Sequence, residues 1–282
     1  MTAVVSQTIK PLVSIRATRG WSALNFLEVW QFRDLMFTMA GRDLKLRYRQ
    51  TALGAIWVVA QPLLGAGIFS FIFQIVAGLK SPNGIPFFVF MFAGLMAWGL
   101  FGSAVGRTNA SIGNNSNLIA KVYFPRFVLP LSSLFSTLID FTVSLAMMIV
   151  LLIIFNIHPG WGLLLLPVWI VLLLLMAMGI GLFAASLSIR YRDINILLPV
   201  FMQFLMYGSA VIVATSSIPE KYRFYYLLNP LVSIIEAFKW SLFGVGEIRW
   251  NYLIYGAITS VALFLIGCLT FKRMERGFAD VI

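Results

Sequence analysis

Charge and reactive side chains are what this sequence has least of. Only 11% of its 282 residues are charged, with 10 acidic residues against 21 Lys and Arg, and it holds one cysteine and one histidine. A soluble domain carries about 25% charged residues, so a water-facing globular fold is excluded for the bulk of the chain. The lone cysteine, Cys268, allows neither an intrachain disulfide nor a cysteine zinc cluster. The lone histidine, His158, sits in the short turn NIHPGW, which removes histidine metal sites and Ser-His-Asp triads and leaves it a turn residue. The pattern G-x-x-x-x-G-K-S/T is missing, so the chain brings no phosphate-binding loop of its own for ATP. The first twenty residues lack an apolar core before a small-residue site, so no cleaved signal peptide is expected.

What is present is apolar sequence: 60% of residues are hydrophobic and the mean hydropathy is +0.92. A membrane helix takes about 20 apolar residues, and six runs qualify, at 53–79, 86–106, 127–155, 162–189, 194–214 and 251–271. They are continuous and too long for barrel strands, which alternate. The fold class is therefore an all-α membrane protein with six transmembrane helices in one membrane domain. Residues 1–52 form an arm and interfacial helix, 53–214 hold spans one to five, 215–249 form an external hairpin, and 250–282 hold span six and a tail. Most of the 21 Lys and Arg fall in the arm, the loops after spans two and four, and the tail. Positive loops stay inside, so both termini are expected in the cytoplasm of a multi-pass protein. The formal charge of +11 is then assigned to lipid and topology, not to nucleic acid.

Several stretches stand out against this background. Before span one, Phe32, Leu35, Met36 and Met39 form an apolar stripe followed by Arg42, Lys45, Arg47 and Arg49. An amphipathic helix lying in the membrane interface is expected there, as an anchor or as part of a gate. Residues 215–249 are too apolar for an ordinary loop and too interrupted for a span, with Pro219, Pro230 and several charges. Irregular backbone at depth needs a protein or aqueous lining, so a re-entrant helical hairpin is expected, with Asn229, Pro230 and Glu236 in it. Its tyrosines, Tyr222, Tyr225 and Tyr226, read either as an interfacial belt or as stacking faces for sugar rings. Asp140 is the one carboxylate deep in a run, a functional candidate by position or a group hydrogen-bonded near Ser136, Thr137 or Ser144. Gly102 and Gly106 form a G-x-x-x-G pair, with Gly179 and Gly181 further on, and read as helix-packing sites.

The stretch LKLRYRQTALGAIWVVAQPLLGAGIFSFIF at 44–73 resembles the start of the first span in the integral-membrane subunits of ABC exporters for surface polysaccharides. NNSNLIAKVYFPRFVLPL, RYRDINILLP and LLNPLVSIIEAFKWSLFG are similar, in order, to that family's two cytoplasmic loops and external hairpin. The resemblance implies a permease in the bacterial inner membrane that pairs with itself and with two copies of a P-loop ATP-binding subunit, which would bind ATP and Mg. The loop at 107–126 would be the coupling element seated in the ATPase, with Arg107, Asn114, Asn115, Lys121 and Arg126 as its residues. The substrate implied is an undecaprenyl-linked glycan whose pyrophosphate meets Arg42, Lys45, Arg47 and Arg49. A hydrophobic-drug or lipid ABC exporter, or an ion-coupled carrier, is the alternative; an embedded glycan enzyme would need a carboxylate pair that the sequence hardly offers.

Overall fold

Proline and glycine set the punctuation of the helices. In the computed structural model, which describes residues 26–49, 56–78, 84–246 and 248–275, every regular element is helical. Short α1 (Phe26–Gln31) leads into α2 (Arg33–Tyr48). The first long apolar helix, α3 (Ile56–Ser70), contains Pro62 and loosens into a π-helical stretch at Phe71–Val76. Pro86 sits at the N-cap of α4 (Phe87–Gly113), where its fixed φ suits a helix start. A six-residue helix, α5 (Ser116–Lys121), follows, then α6 (Val128–Ile154), a 3-10 turn at Trp161–Leu165, and α7 (Leu166–Arg190). The remainder is α8 (Ile194–Tyr207), α9 (Glu220–Leu227), α10 (Pro230–Phe243) and α11 (Trp250–Met274).

Among the described residues five helical segments are long and apolar enough to cross a membrane: Ile56–Val76, Phe87–Gly113, Val128–Ile154, Trp161–Arg190 and Trp250–Met274. The run expected as a span at 194–214 divides differently. Its helix α8 has 14 residues, about 21 Å at 1.5 Å per residue, against about 30 Å of hydrocarbon. Beyond Tyr207 the backbone is irregular to Thr215. The second span also departs from expectation, because α4 runs to Gly113 and so carries Arg107, Thr108 and Asn109 within the helix.

The bundle is built around α4, which packs on α3, α6, α7 and α10, while α7 also packs along α11. The α7–α11 crossing depends on glycine at both partners. A Cβ on Gly179 would fall inside the Leu263 backbone, and one on Gly267 inside that of Gly179, so any side chain here forces the helices apart. Gly181 meets Thr108 of α4 in the same way. Within this chain, among the described residues, a Cβ on Gly102 would meet Trp98 of its own helix at 3.6 Å and Met202 of α8 at 3.8 Å, and one on Gly106 would meet nothing within 4 Å.

Two apolar clusters result. The larger runs from Phe92 and Phe101 of α4 through Leu173 and Met176 of α7 to Phe238 of α10. The smaller gathers Met36 of α2, Ile112, Ile119, Phe124, Phe127, Leu182 and Phe271 at the end of the bundle that carries the basic loops. The stripe on α2 therefore finds its partner within the chain. Met36 and Ala40 are buried against α6, and Ser136 donates to the Ala40 carbonyl at 3.4 Å.

Candidate functional site

The segment between α4 and α6 at the basic end is held from beneath and open above. Phe124 and Phe127 are buried, Phe127 meeting Phe271 edge-on at 6.1 Å, and Ile119 of α5 enters the same cluster. Arg126 donates from its guanidinium to the Glu275 carbonyl, and Lys272 pairs with the Glu275 carboxylate at 3.1 Å, tying the loop to the end of α11. The outer surface carries Asn114, Asn117, Ala120, Lys121, Val122 and Tyr123, the last two 52% and 65% exposed. A rigid base with an exposed mixed apolar and cationic crest is suited to docking a protein.

Arg126 is thus turned to α11, and the other four residues expected in this loop separate into three groups. Asn114 and Lys121 face outward. Asn115 is buried; its amide nitrogen donates to the Ser111 carbonyl at 2.8 Å, and its carbonyl oxygen accepts from Arg42 Nη2 at 2.6 Å. Arg107 is not in the loop at all. It lies inside α4 and forms an ion pair with Asp140 of α6, both side chains mostly shielded. Beside that pair, Ser144 donates to the Asp140 backbone carbonyl, Thr137 to that of Ser133 and Ser136 to that of Ala40. An arginine inside an apolar helix is tolerable because the carboxylate offsets its desolvation, which is why α4 continues past the point where hydropathy suggested a stop.

Arg42, Lys45 and Arg49 line a groove of about 690 Å³ on α2 together with Phe37, Thr38, Gly41 and Leu46. Spacings of three and four place the cations on one helix face, beside the exposed apolar surface of Phe37 and Leu46. Such a groove can accept an anionic head with an apolar tail. The Arg47 side chain lies outside the described residues.

At the hairpin, side chains of α9 and α10 hold the irregular stretch after α8 almost group by group. Asn229 donates to the Gly208 carbonyl at 2.8 Å and to Ser209 Oγ at 3.0 Å. Lys239 donates to the carbonyls of Ala210 and Val211 at 2.7 and 2.9 Å, with its ammonium 3.7 Å from the Phe90 ring centroid. Tyr226 donates to the Val213 carbonyl at 3.1 Å, and the Thr215 N–H donates to Glu236 at 2.7 Å. Buried backbone groups outside a helix are costly unless paired, and here hairpin side chains pair them. Asn229 also caps α10 by accepting from the Leu231 N–H at 3.1 Å, Pro230 occupies the first turn, and Gly244 ends the helix at φ +66°.

This arrangement separates the three tyrosines. Tyr222 and Tyr225 are 57% and 70% exposed, whereas the Tyr226 hydroxyl is engaged by the α8 extension. The role of Lys239 was missed from sequence. Its only signal was an acid and a base three residues apart, Glu236 and Lys239, on an otherwise apolar helix.

The five long apolar helices define a multi-pass membrane protein with a braced loop at one end and a pinned helical hairpin near the other. Residues 34–243 match the ABC-2 type transporter family, and the chain belongs to it. Among similar proteins, the O-antigen export system permease protein RfbA of Myxococcus xanthus is 30% identical, covering 90% of this chain and 98% of its own length. Its namesake from Klebsiella pneumoniae is 29% identical, covering 88% and 95%. The polysialic acid transport protein KpsM of Escherichia coli is 26% identical, covering 84% and 92%.

Proposed function

We propose that this chain is the permease subunit of an ABC exporter that moves a lipid-linked, O-antigen-like polysaccharide across the bacterial inner membrane. The observation that carries this reading is near-complete alignment with export permeases for O-antigen and polysialic acid in three genera. No such likeness favours a small hydrophobic drug as cargo.

In this reading two copies assemble with two copies of a separate P-loop ATPase, which binds ATP and Mg. The crest at Asn114, Lys121, Val122 and Tyr123 seats in the ATPase, and the ties from Arg126 to Glu275 carry its movement into the spans. The basic groove on α2 receives the lipid pyrophosphate. Helices α3 and α8 form the wall shared with the second copy. Both are apolar and poorly buried, and they expose amides at Gln61, Gln74 and Gln203 that would be costly against acyl chains. With both termini cytoplasmic, α8 and its irregular extension make the fifth of six crossings, and the α9–α10 hairpin dips in from outside. Tyr222 and Tyr225 offer ring faces along which sugar can pass.

Deleting the gene tests the reading. Surface polysaccharide is expected to disappear while its lipid-linked form accumulates in the inner membrane, and the complex purified from native membranes should contain one P-loop ATPase per permease by quantitative mass spectrometry. Undiminished surface glycan would overturn the cargo, and a complex without ATPase would overturn the mechanism.

A further inference from the structure

Arg42 belongs to two sites at once. Its side chain lines the basic groove on α2. The same Nη2 atom donates to Asn115 Oδ1 at 2.6 Å, in the turn joining α4 to α5, and to Asp43 Oδ1 at 3.0 Å. Asn115 has little freedom to respond, because it is buried and its amide nitrogen is committed to Ser111 in the last turn of α4. The Arg42–Asn115 bond joins residues 73 apart in sequence and bridges the groove to the turn that carries α5.

A phosphate or pyrophosphate in the groove competes for those guanidinium hydrogens. Hydrogen bonds from arginine to an ionised oxygen are roughly twice as strong as neutral ones, and a phosphate can take two in parallel. Asn115 offers a single neutral oxygen, and Asp43 a single carboxylate oxygen at the exposed edge of the helix. A phosphate that bridges Nη1 and Nη2 needs the Nη2 hydrogen that Asn115 accepts, and as the charged acceptor it displaces the neutral amide oxygen, so the α4–α5 turn loses its tie to α2.

We propose that Arg42 is a positioning residue that reports occupancy of the α2 groove by a lipid phosphate or pyrophosphate to the loop preceding α6. With the groove empty, Arg42 holds Asn115 and keeps the turn fixed; with the groove filled, the turn is released and α5 can follow the ATPase. The inference rests on the head-group reading above and adds to it a route by which cargo controls ATP turnover. Other ties of the loop, from Arg126 to Glu275 and from the buried Phe124 and Phe127, do not touch the groove and stay in place.

The test uses the complete permease–ATPase complex in phosphatidylcholine vesicles, with undecaprenyl pyrophosphate or phosphatidylglycerol added as the probe. Wild type should be stimulated about fivefold or more, the low end of coupling between distinct sites. Asn115→Ala should bind the pyrophosphate lipid within about twofold of wild type yet lose the stimulation, since the coupled bond is gone while the groove remains. Asn115→Asp gives up the bond to Ser111 but holds Arg42 more tightly by charge, so it should still respond but need about tenfold more probe, a shift to higher probe concentration that loss of the Ser111 bond alone would not produce. Full stimulation in Asn115→Ala would overturn the link and leave the head-group reading standing. Failure of wild type to bind the pyrophosphate lipid would overturn both. Equal stimulation by phosphatidylglycerol would keep the link and assign the phosphate to bulk phospholipid.

Discussion

The segment Ile56–Val76, which is α3 with its π-helical end, and α4 are equally apolar, yet little of the first is buried within the protein while most of the second is. Water-to-lipid transfer cannot distinguish them, because acyl chains and leucine side chains are equally apolar surroundings. Shape does. The buried face of α4 carries Ala93, Gly94, Ala97 and Ala104, which admit neighbouring backbones, and α10, α7 and the α8 extension close on it. The face of α3 presents Trp57, Leu64, Ile68, Phe71 and Ile75 outward, interrupted by Pro62 and the π-helical stretch. In this molecule apolarity puts a helix in the membrane, and small residues decide whether it becomes core or wall.

The largest expected effect tests that distinction at one glycine in each helix. At Gly94 a Cβ would clash with the Val211 carbonyl oxygen and lie 2.9 Å from Lys239 Cε. Gly94→Val must push the α8 extension away and strip Lys239 of its acceptors, costing about 3 kcal/mol or more from overpacking and an unpaired buried group. At Gly67 there is nothing within 4 Å, so Gly67→Val should stay within about 0.5 kcal/mol in an isolated chain. Thermal unfolding in detergent, followed by size-exclusion profile, reads the difference. Equal losses in Tm would mean that α3 is packed as α4 is.

The break in the central comparison at Arg107 shows where sequence reasoning reaches its limit. Five spans were legible because continuous apolar runs are a local property, and the break before α10 was legible from Pro230. The last turns of α4 were not, because what makes Arg107 acceptable is Asp140, 33 residues later, on another helix. For the same reason the break of the helix after Tyr207, within the run at 194–214, was not legible: the irregular stretch beyond it is held by Asn229, Tyr226, Glu236 and Lys239, all downstream. The basic stripe on α2 was visible as spacing, but its bond to Asn115 was not, since nothing local marks Asn115 as buried.

A second experiment sharpens what α4 contributes beyond packing. Removing either partner of the Arg107–Asp140 pair takes away a charged partner from a mostly shielded group, and Arg107→Leu or Asp140→Leu alone should each cost about 2–3 kcal/mol, less than for a fully buried pair because both side chains stay partly accessible. Replacing both by Leu should recover most of that loss, since a buried pair is often matched by an apolar one. Chemical denaturation of the singles and the double closes the cycle. If the double is as unstable as the sum of the singles, the two side chains are not energetically coupled, and α4 has another reason for extending to Gly113.

The smallest effect lies on the wall itself. Gln61 on α3 and Gln203 on α8 are exposed amides on apolar helices. Against acyl chains each would be unpaired, and Gln→Leu would stabilise the protein by about 1–2 kcal/mol. Against a second copy or a hydrated glycan path they have partners, so Gln61→Leu and Gln203→Leu should leave Tm unchanged or slightly lower while reducing export several-fold. Leu64 provides the control: it is 62% exposed and three residues from Gln61 on the same helix face. Leu64→Gln should be tolerated if that face meets polar surroundings and destabilising if it meets lipid. Measured together, stability and surface glycan then separate a helix that is unburied because lipid covers it from one that is unburied because its partner is another copy of the same chain.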